Sequence, residues 1–162
     1  FHGDAKIKAK YVARLEAHAA ADEIAHGYYW ENGKGCAVGC TIHGSDHSAY
    51  ERELGIPLIL ARLEDRIFEG MQNGDSKKFP LRFLSAIPIG ADLSLVWPHF
   101  AIWLLVDEKH GVIRFAKKKS AQWIAIDLVA GLYRRLFNGE SVTKDAWQEA
   151  RYAADAAADA DA

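Results

Sequence analysis

Apolar side chains recur at helical spacing along most of the chain. From Lys6 to about Ala25, Ile7, Tyr11, Leu15 and Ala25 line one face of an alanine-rich run, and Gly27 supplies a stop. Ser45 can cap a short helix through Leu54, closed by Gly55, and Pro57 suits the first turn of another reaching about Glu69. Ile56, Ile59, Leu60, Leu63 and Ile67 give that helix its buried stripe. Phe79, Phe83, Leu84 and Ile87 mark a shorter helix cut off by Pro88. Asp92 through about Val106 reads as an aromatic-rich helix started or kinked at Pro98. Ser120 to Asn138 is strongly amphipathic and ends at Gly139, after which Thr143 caps a last helix carrying Trp147. Val112 to Phe115 could form a brief strand, but a lone strand has no ladder partner. The expected class is therefore all-α, a compact bundle of six to seven helices.

Beyond Tyr152 the sequence degenerates to alanine and aspartate. Alanines favour helix but bring little surface to a core, so residues 151–162 read as a protruding or fraying Ala-rich C-terminal helical tail on a single domain of residues 1–150. An apolar fraction of 50% over 162 residues can build that domain's core. A formal charge of -2 gives no global reason to expect a nucleic-acid partner. Lys117-Lys118-Lys119 and Arg134-Arg135 read as loop and solvated-face charges. No apolar run reaches the ~18 residues of a membrane span, so no membrane partner is expected either. Two closely spaced cysteines suggest local chemistry in a reducing compartment, and a cytoplasmic location is the expectation. Beginning on Phe1 rather than Met, the sequence reads as processed or trimmed.

The chemistry-bearing residues fall in two places. At ~100° per residue, His18, Asp22 and His26 lie in the apolar sector of the first helix, where unpaired polar groups would be costly. A metal ion would satisfy them, and so would a hydrogen-bonded His18-Asp22 pair with His26 half-exposed. Glu23-Ile24-Ala25-His26 also has the Glu-x-x-His spacing of di-iron bundles, whose second copy is matched only by Asp107-Glu108-Lys109-His110 at a helix end. The second place is Gly35 to His47, which holds Cys36, Cys40, His43 and His47 as C-x3-C-x2-H-x3-H. Thiol and imidazole ligands of this kind suit zinc. One straight helix would spread them over roughly 16 Å, so a single ion requires a bend at Gly39 or Gly44. The leading expectation is a zinc or other transition-metal site drawn from Cys36, Cys40, His43 and His47 with His18, Asp22 or His26. It would be hydrolytic if one coordination position is open and structural if four protein ligands close it.

A second expectation is metal-free thiol chemistry at Cys36 or Cys40, since glycine-flanked cysteines near a helix N-terminus and imidazoles have a lowered pKa. From Cys36 to His43 the stretch is similar to the Cys-x-x-Cys-x-x-x-His redox motif of the all-helical AhpD-like alkylhydroperoxidase family. The first-cysteine-to-histidine distance is kept, while Cys40 comes one residue late. The resemblance implies dithiol redox cycling. A thiol hydrolase with His43, His47 or His18 as base and Asp22 orienting it is equally open. A third expectation is a non-catalytic interaction or inhibitor protein. Tyr28-Tyr29-Trp30 could wall a small-molecule pocket but reads first as core packing, and Glu64, Asp65 and Glu69 read as a solvated helix face, with Glu64 an additional candidate ligand.

Overall fold

Asp4 starts the first helix by accepting a hydrogen bond from the backbone N–H of Lys6 at 2.7 Å, and α1 runs over Ala5–Ala20. The computed structural model describes residues 1–72 and 74–159. Tyr11, Leu15 and His18 form the buried stripe of α1. The helix ends about five residues short of the expected Ala25, because Asp22 takes a left-handed backbone (φ 57°) and the Glu23 N–H closes on the His18 carbonyl at 3.0 Å. Asp22 and His26 therefore leave the face that carries His18.

After the turn the chain forms a ladder that the apolar pattern does not reveal. Trp30–Glu31 (β1) pairs antiparallel with Lys34–Gly35 (β2), and Ile24 bridges to Gly35 alongside. Asn32 and Gly33 between the strands both have positive φ, the backbone of a two-residue hairpin turn. Helix α2 (Ala37–Ile42) follows at once, buried along most of its length. Instead of the expected helix from Ser45, residues 45–48 form a turn in which Asp46 accepts from the Ser48 amide at 3.0 Å and its hydroxyl at 2.6 Å. A π-helical turn then spans Tyr50–Leu54 and stops at Gly55, whose φ is 68°. Helix α3 (Leu58–Gly70) begins directly after Pro57, and α4 (Phe79–Ala86) carries Pro80 in its first turn, where a missing N–H costs nothing. Lys8 ties α1 to the end of α4 by donating to the carbonyls of Ser85 (2.8 Å) and Ile87 (2.6 Å).

These elements form one compact unit, Phe1–Leu93, and a second begins at Ser94. In the second, α6 (Ala121–Phe137) packs against both α5 (Val96–Val106) and α7 (Lys144–Asp159). Ser120 and Thr143 cap α6 and α7 through their hydroxyls. Val112–Phe115 is a 3-10 turn, as expected of a segment without a strand to pair with. Arg151 to Asp159 continue α7, with Ala157 buried and its carbonyl accepting from Gln122 at 3.1 Å, so this part of the tail packs rather than frays. The remaining tail, 160–162, lies outside the described residues. The class is all-α, with seven α-helices and one two-stranded ladder among the described residues.

Gly39 sets the closest approach in the first unit. A Cβ there would overlap the carbonyl of Tyr29, which belongs to the segment leading into β1. Gly39→Ala is expected to destabilise the protein by about 3 kcal/mol or more, measured as a lowered urea midpoint. A stability loss below about 1 kcal/mol would show that this approach is loose.

Candidate functional site

Each end of α2 holds a polar cluster. At its C-terminal end, His43 occupies the left-handed region (φ 55°), unusual for a residue with a side chain. This places its ring flat on Trp30, with centroids 4.7 Å apart and planes 13° from parallel, and its Nε2 2.7 Å from Nε2 of His18. The other nitrogen of His18, Nδ1, is 2.6 Å from Oε2 of Glu23. The α1-ending turn brings Glu23 back onto the helix it has just left. Glu23, His18 and His43 thus form one continuous chain of hydrogen-bonding atoms, while Trp30 meets His18 edge-on at 5.5 Å. Arg14 donates to the Thr41 carbonyl at 2.7 Å, beside the same helix end. Partial burial, followed by the nearby charges of Arg14 and His18, holds the pKa of His43 below its ordinary value of 6.5.

The other expected site residues are placed elsewhere. Asp22 points outward to an ion pair with Lys77, which keeps its carboxyl below the usual range. His26 lies on the ring of Phe68 at 4.4 Å, and its Nε2 is 3.0 Å from that residue's carbonyl oxygen. Cys36 is the N-cap of α2, its sulfur accepting from the Gly39 amide at 3.4 Å. Cys40 directs its thiol at the carbonyls of Gly35 (3.3 Å) and Glu23 (3.6 Å). His47 lies 3.4 Å from Asp65 through Nε2. The proposed Cys/His ligand set is divided among these partners: the histidines turn to His18 and Asp65 while the thiols turn inward. Among the described residues, no group of three or more His, Cys, Asp or Glu side chains is gathered so as to hold a metal ion.

Both thiols are fully buried, and burial is the largest cause that pushes Cys36 up to about 12 and Cys40 up to about 11. The nearby charge of Asp65 adds to the rise at Cys36, whose thiol points at the Tyr29 carbonyl at 3.7 Å, whereas backbone hydrogen bonds pull the other way. The helix N-terminus expected to activate a thiolate is present, but desolvation outweighs it.

Around the N-terminal half of α2, the expected solvated face of α3 is partly interior. Glu64 is fully buried; Tyr50 donates to its Oε2 at 2.6 Å, and its Oε1 has no partner. Burial raises its pKa to about 8. Asp65 next to it is partly covered, with one oxygen facing His47 and the other, buried, unpartnered. Outward of His47 lies a cleft of about 600 Å³ between the Ser45–Ser48 turn and the exposed face of α3, with Tyr29 on its wall.

Sequence patterning singled out Glu23 only within a Glu-x-x-His spacing and Trp30 only within a pocket-wall or core run, and neither as a partner of His18 and His43. The available signal is Asn32-Gly33, a hairpin dipeptide that brings Trp30 and Gly35 back toward the end of α1. No protein-family model matches the sequence, and neither a curated protein nor a solved structure is significantly similar to it. Among the described residues, no helix is long and apolar enough to cross a membrane.

Two outcomes follow. A carboxyl that binds its proton more tightly when folded contributes stability below its unfolded pKa near 4.5, lost as pH rises toward about 8. Denaturant titrations at about pH 5 and about pH 8 should therefore show wild type losing more stability than Glu64→Gln; parallel losses would assign the ionised form to Glu64 in the fold. For the thiols, alkylation by iodoacetamide near neutral pH should be at least ~100-fold slower in the native protein than in urea, since a free thiol titrates near 8.5. Fast labelling of either cysteine would contradict its burial.

Proposed function

We propose that the protein is a hydrolase working by general-base catalysis, with His43 as the base and a small anionic ester as substrate. The observation that carries this reading is the Glu23–His18–His43 chain, whose two contacts are 2.6 and 2.7 Å. Glu23 accepts the proton on Nδ1 of His18, which leaves Nε2 of His18 free to accept from Nε2–H of His43. Nδ1 of His43 then carries a lone pair, on a ring that reaches the surface.

The step balances without a cofactor. Water gives a proton to Nδ1 of His43 as its oxygen attacks the ester. The proton on Nε2 of His43 passes to Nε2 of His18, so the positive charge comes to rest beside the Glu23 carboxylate. The departing alkoxide or phenoxide recovers a proton by the reverse path. A lowered His43 pKa supports this role, because the ring is already neutral at physiological pH. Lys10 and Arg14 are close enough to act on His43 electrostatically, which favours an anionic substrate. Cysteine nucleophiles have no part in this mechanism, given the burial of both thiols.

Nitrogen-15 NMR of the histidine rings provides the direct test. His43 should carry its proton on Nε2 and titrate below the ordinary value; a proton on Nδ1 would remove the relay. Against a panel of carboxylate- and phosphate-bearing esters, His43→Ala should lower hydrolysis at least ~100-fold. Glu23→Gln should lower it about 10-fold while leaving substrate affinity unchanged.

A further inference from the structure

Adjoining the cleft around His47 is a smaller recess of about 170 Å³, lined by Gly27, Tyr28, Tyr29, Asp65 and Glu69. Its two carboxylates stand four residues apart on α3, a spacing at which like charges repel. Glu69 accepts from the Gly27 amide through both oxygens, at 3.1 and 3.2 Å, a neutral donor that leaves the charge in place. Asp65 has one oxygen 3.4 Å from Nε2 of His47 and the other buried without a partner. Among the described residues no basic side chain lines the recess, since Arg62 and Arg66 line only the wider cleft. The unmet charge in the recess is therefore negative.

Its remaining wall is aromatic. The backbone of both tyrosines is pinned, because the Tyr28 carbonyl accepts from the Cys36 amide at 2.7 Å and the Tyr29 carbonyl lies against Gly39. Their rings nevertheless stay in solvent, 54% and 62% exposed, so neither serves the core. Two rings held on a fixed backbone next to uncompensated carboxylates offer π faces and counter-charge to one cation.

We infer that this recess binds a methylated ammonium group, with Tyr28 and Tyr29 supplying the π faces and Asp65 and Glu69 the counter-charge. The carboxylate oxygens are already taken by the Gly27 amide, turned to His47 or buried, which favours a cation held by charge and ring faces over one that must place N–H bonds. A metal ion is not served, because among the described residues no three His, Cys, Asp or Glu side chains gather around one point. A recess this small lies below the ~300 Å³ of sites for drug-sized molecules and matches a compact headgroup. The inference is independent of the His43 relay, since the recess shares no residue with the Glu23–His18–His43 chain.

Titration with choline chloride at constant ionic strength, followed through the Gly27 amide and the Tyr28 and Tyr29 ring signals, tests it. Saturable shifts are expected, and their absence up to roughly 50 mM ligand would overturn the site. Dimethylbutanol, the uncharged carbon isostere of choline, should give no saturation; equal binding would replace the cation with an apolar ligand and overturn the inference. Ammonium chloride should bind at least ~5-fold more weakly than choline, and parity would overturn the methylated class. Tyr28→Leu/Tyr29→Leu, checked for native circular dichroism, should weaken choline at least ~5-fold. Glu69→Gln, which leaves the buried Asp65 untouched, should weaken it at least ~3-fold. Binding retained by either variant would count against the recess. Arg62→Gln/Arg66→Gln should bind no more weakly than wild type, and a loss there would move the site into the wider cleft. His43→Ala should bind choline normally, which separates failure of the hydrolase reading from failure of this one.

Discussion

The carbonyl of Tyr29 lies where a side chain on Gly39 would have to begin. That close approach presses the segment leading into the hairpin onto α2, and the placement of the polar clusters follows from it. With Tyr29 fixed, Trp30 is delivered to the C-terminal end of α2 and the Tyr29 ring to the cleft around His47. The same contact seals Cys36 and Cys40 beneath the hairpin, where the Cys36 amide donates to the Tyr28 carbonyl at 2.7 Å and the Cys40 thiol faces the Gly35 carbonyl. A backbone packed this tightly against backbone leaves no space for solvent, so the thiols act as small buried side chains rather than as nucleophiles.

Burial also governs the acidic groups. Glu64 can be enclosed because it is kept neutral and receives the Tyr50 hydroxyl; an ionised carboxylate with one unpartnered oxygen would be far more costly there. Asp65, one residue on, keeps one oxygen at the edge of the cleft and can be answered by His47. Adjacent carboxyls on a single helix thus take opposite roles, since neighbouring positions differ by ~100° in direction.

Helix periodicity carried most of the fold. The apolar stripe after Pro57 and the hydroxyl caps at Ser120 and Thr143 correspond to α3, α6 and α7 within a residue or two. It misplaced what depended on backbone chemistry. Alanine has high helix propensity, so the run to Ala25 reads as one helix, but the left-handed turn at Asp22 ends it early and redirects Asp22 and His26. His18 and His43 were both legible as chemical residues. Their pairing was not, because it depends on a positive φ at His43 and on a short hairpin whose strands hold two residues each. The solvated reading of α3 failed at Glu64 for a related reason: a charged residue type says nothing of a tyrosine hydroxyl fourteen positions earlier in the chain.

His43 gathers these constraints. A residue with a Cβ in the left-handed region is strained, and glycine or asparagine would end α2 more cheaply. The Trp30 stack and the His18 contact oppose that strain, and both require imidazole. Neither contact buries His43 in the core, so helix termination alone gives no reason for this side chain here. A strained, partly exposed imidazole, aligned by an aromatic face and backed by a second histidine and a glutamate, is an expensive way to finish a six-residue helix and a direct way to hold a base whose proton has somewhere to go.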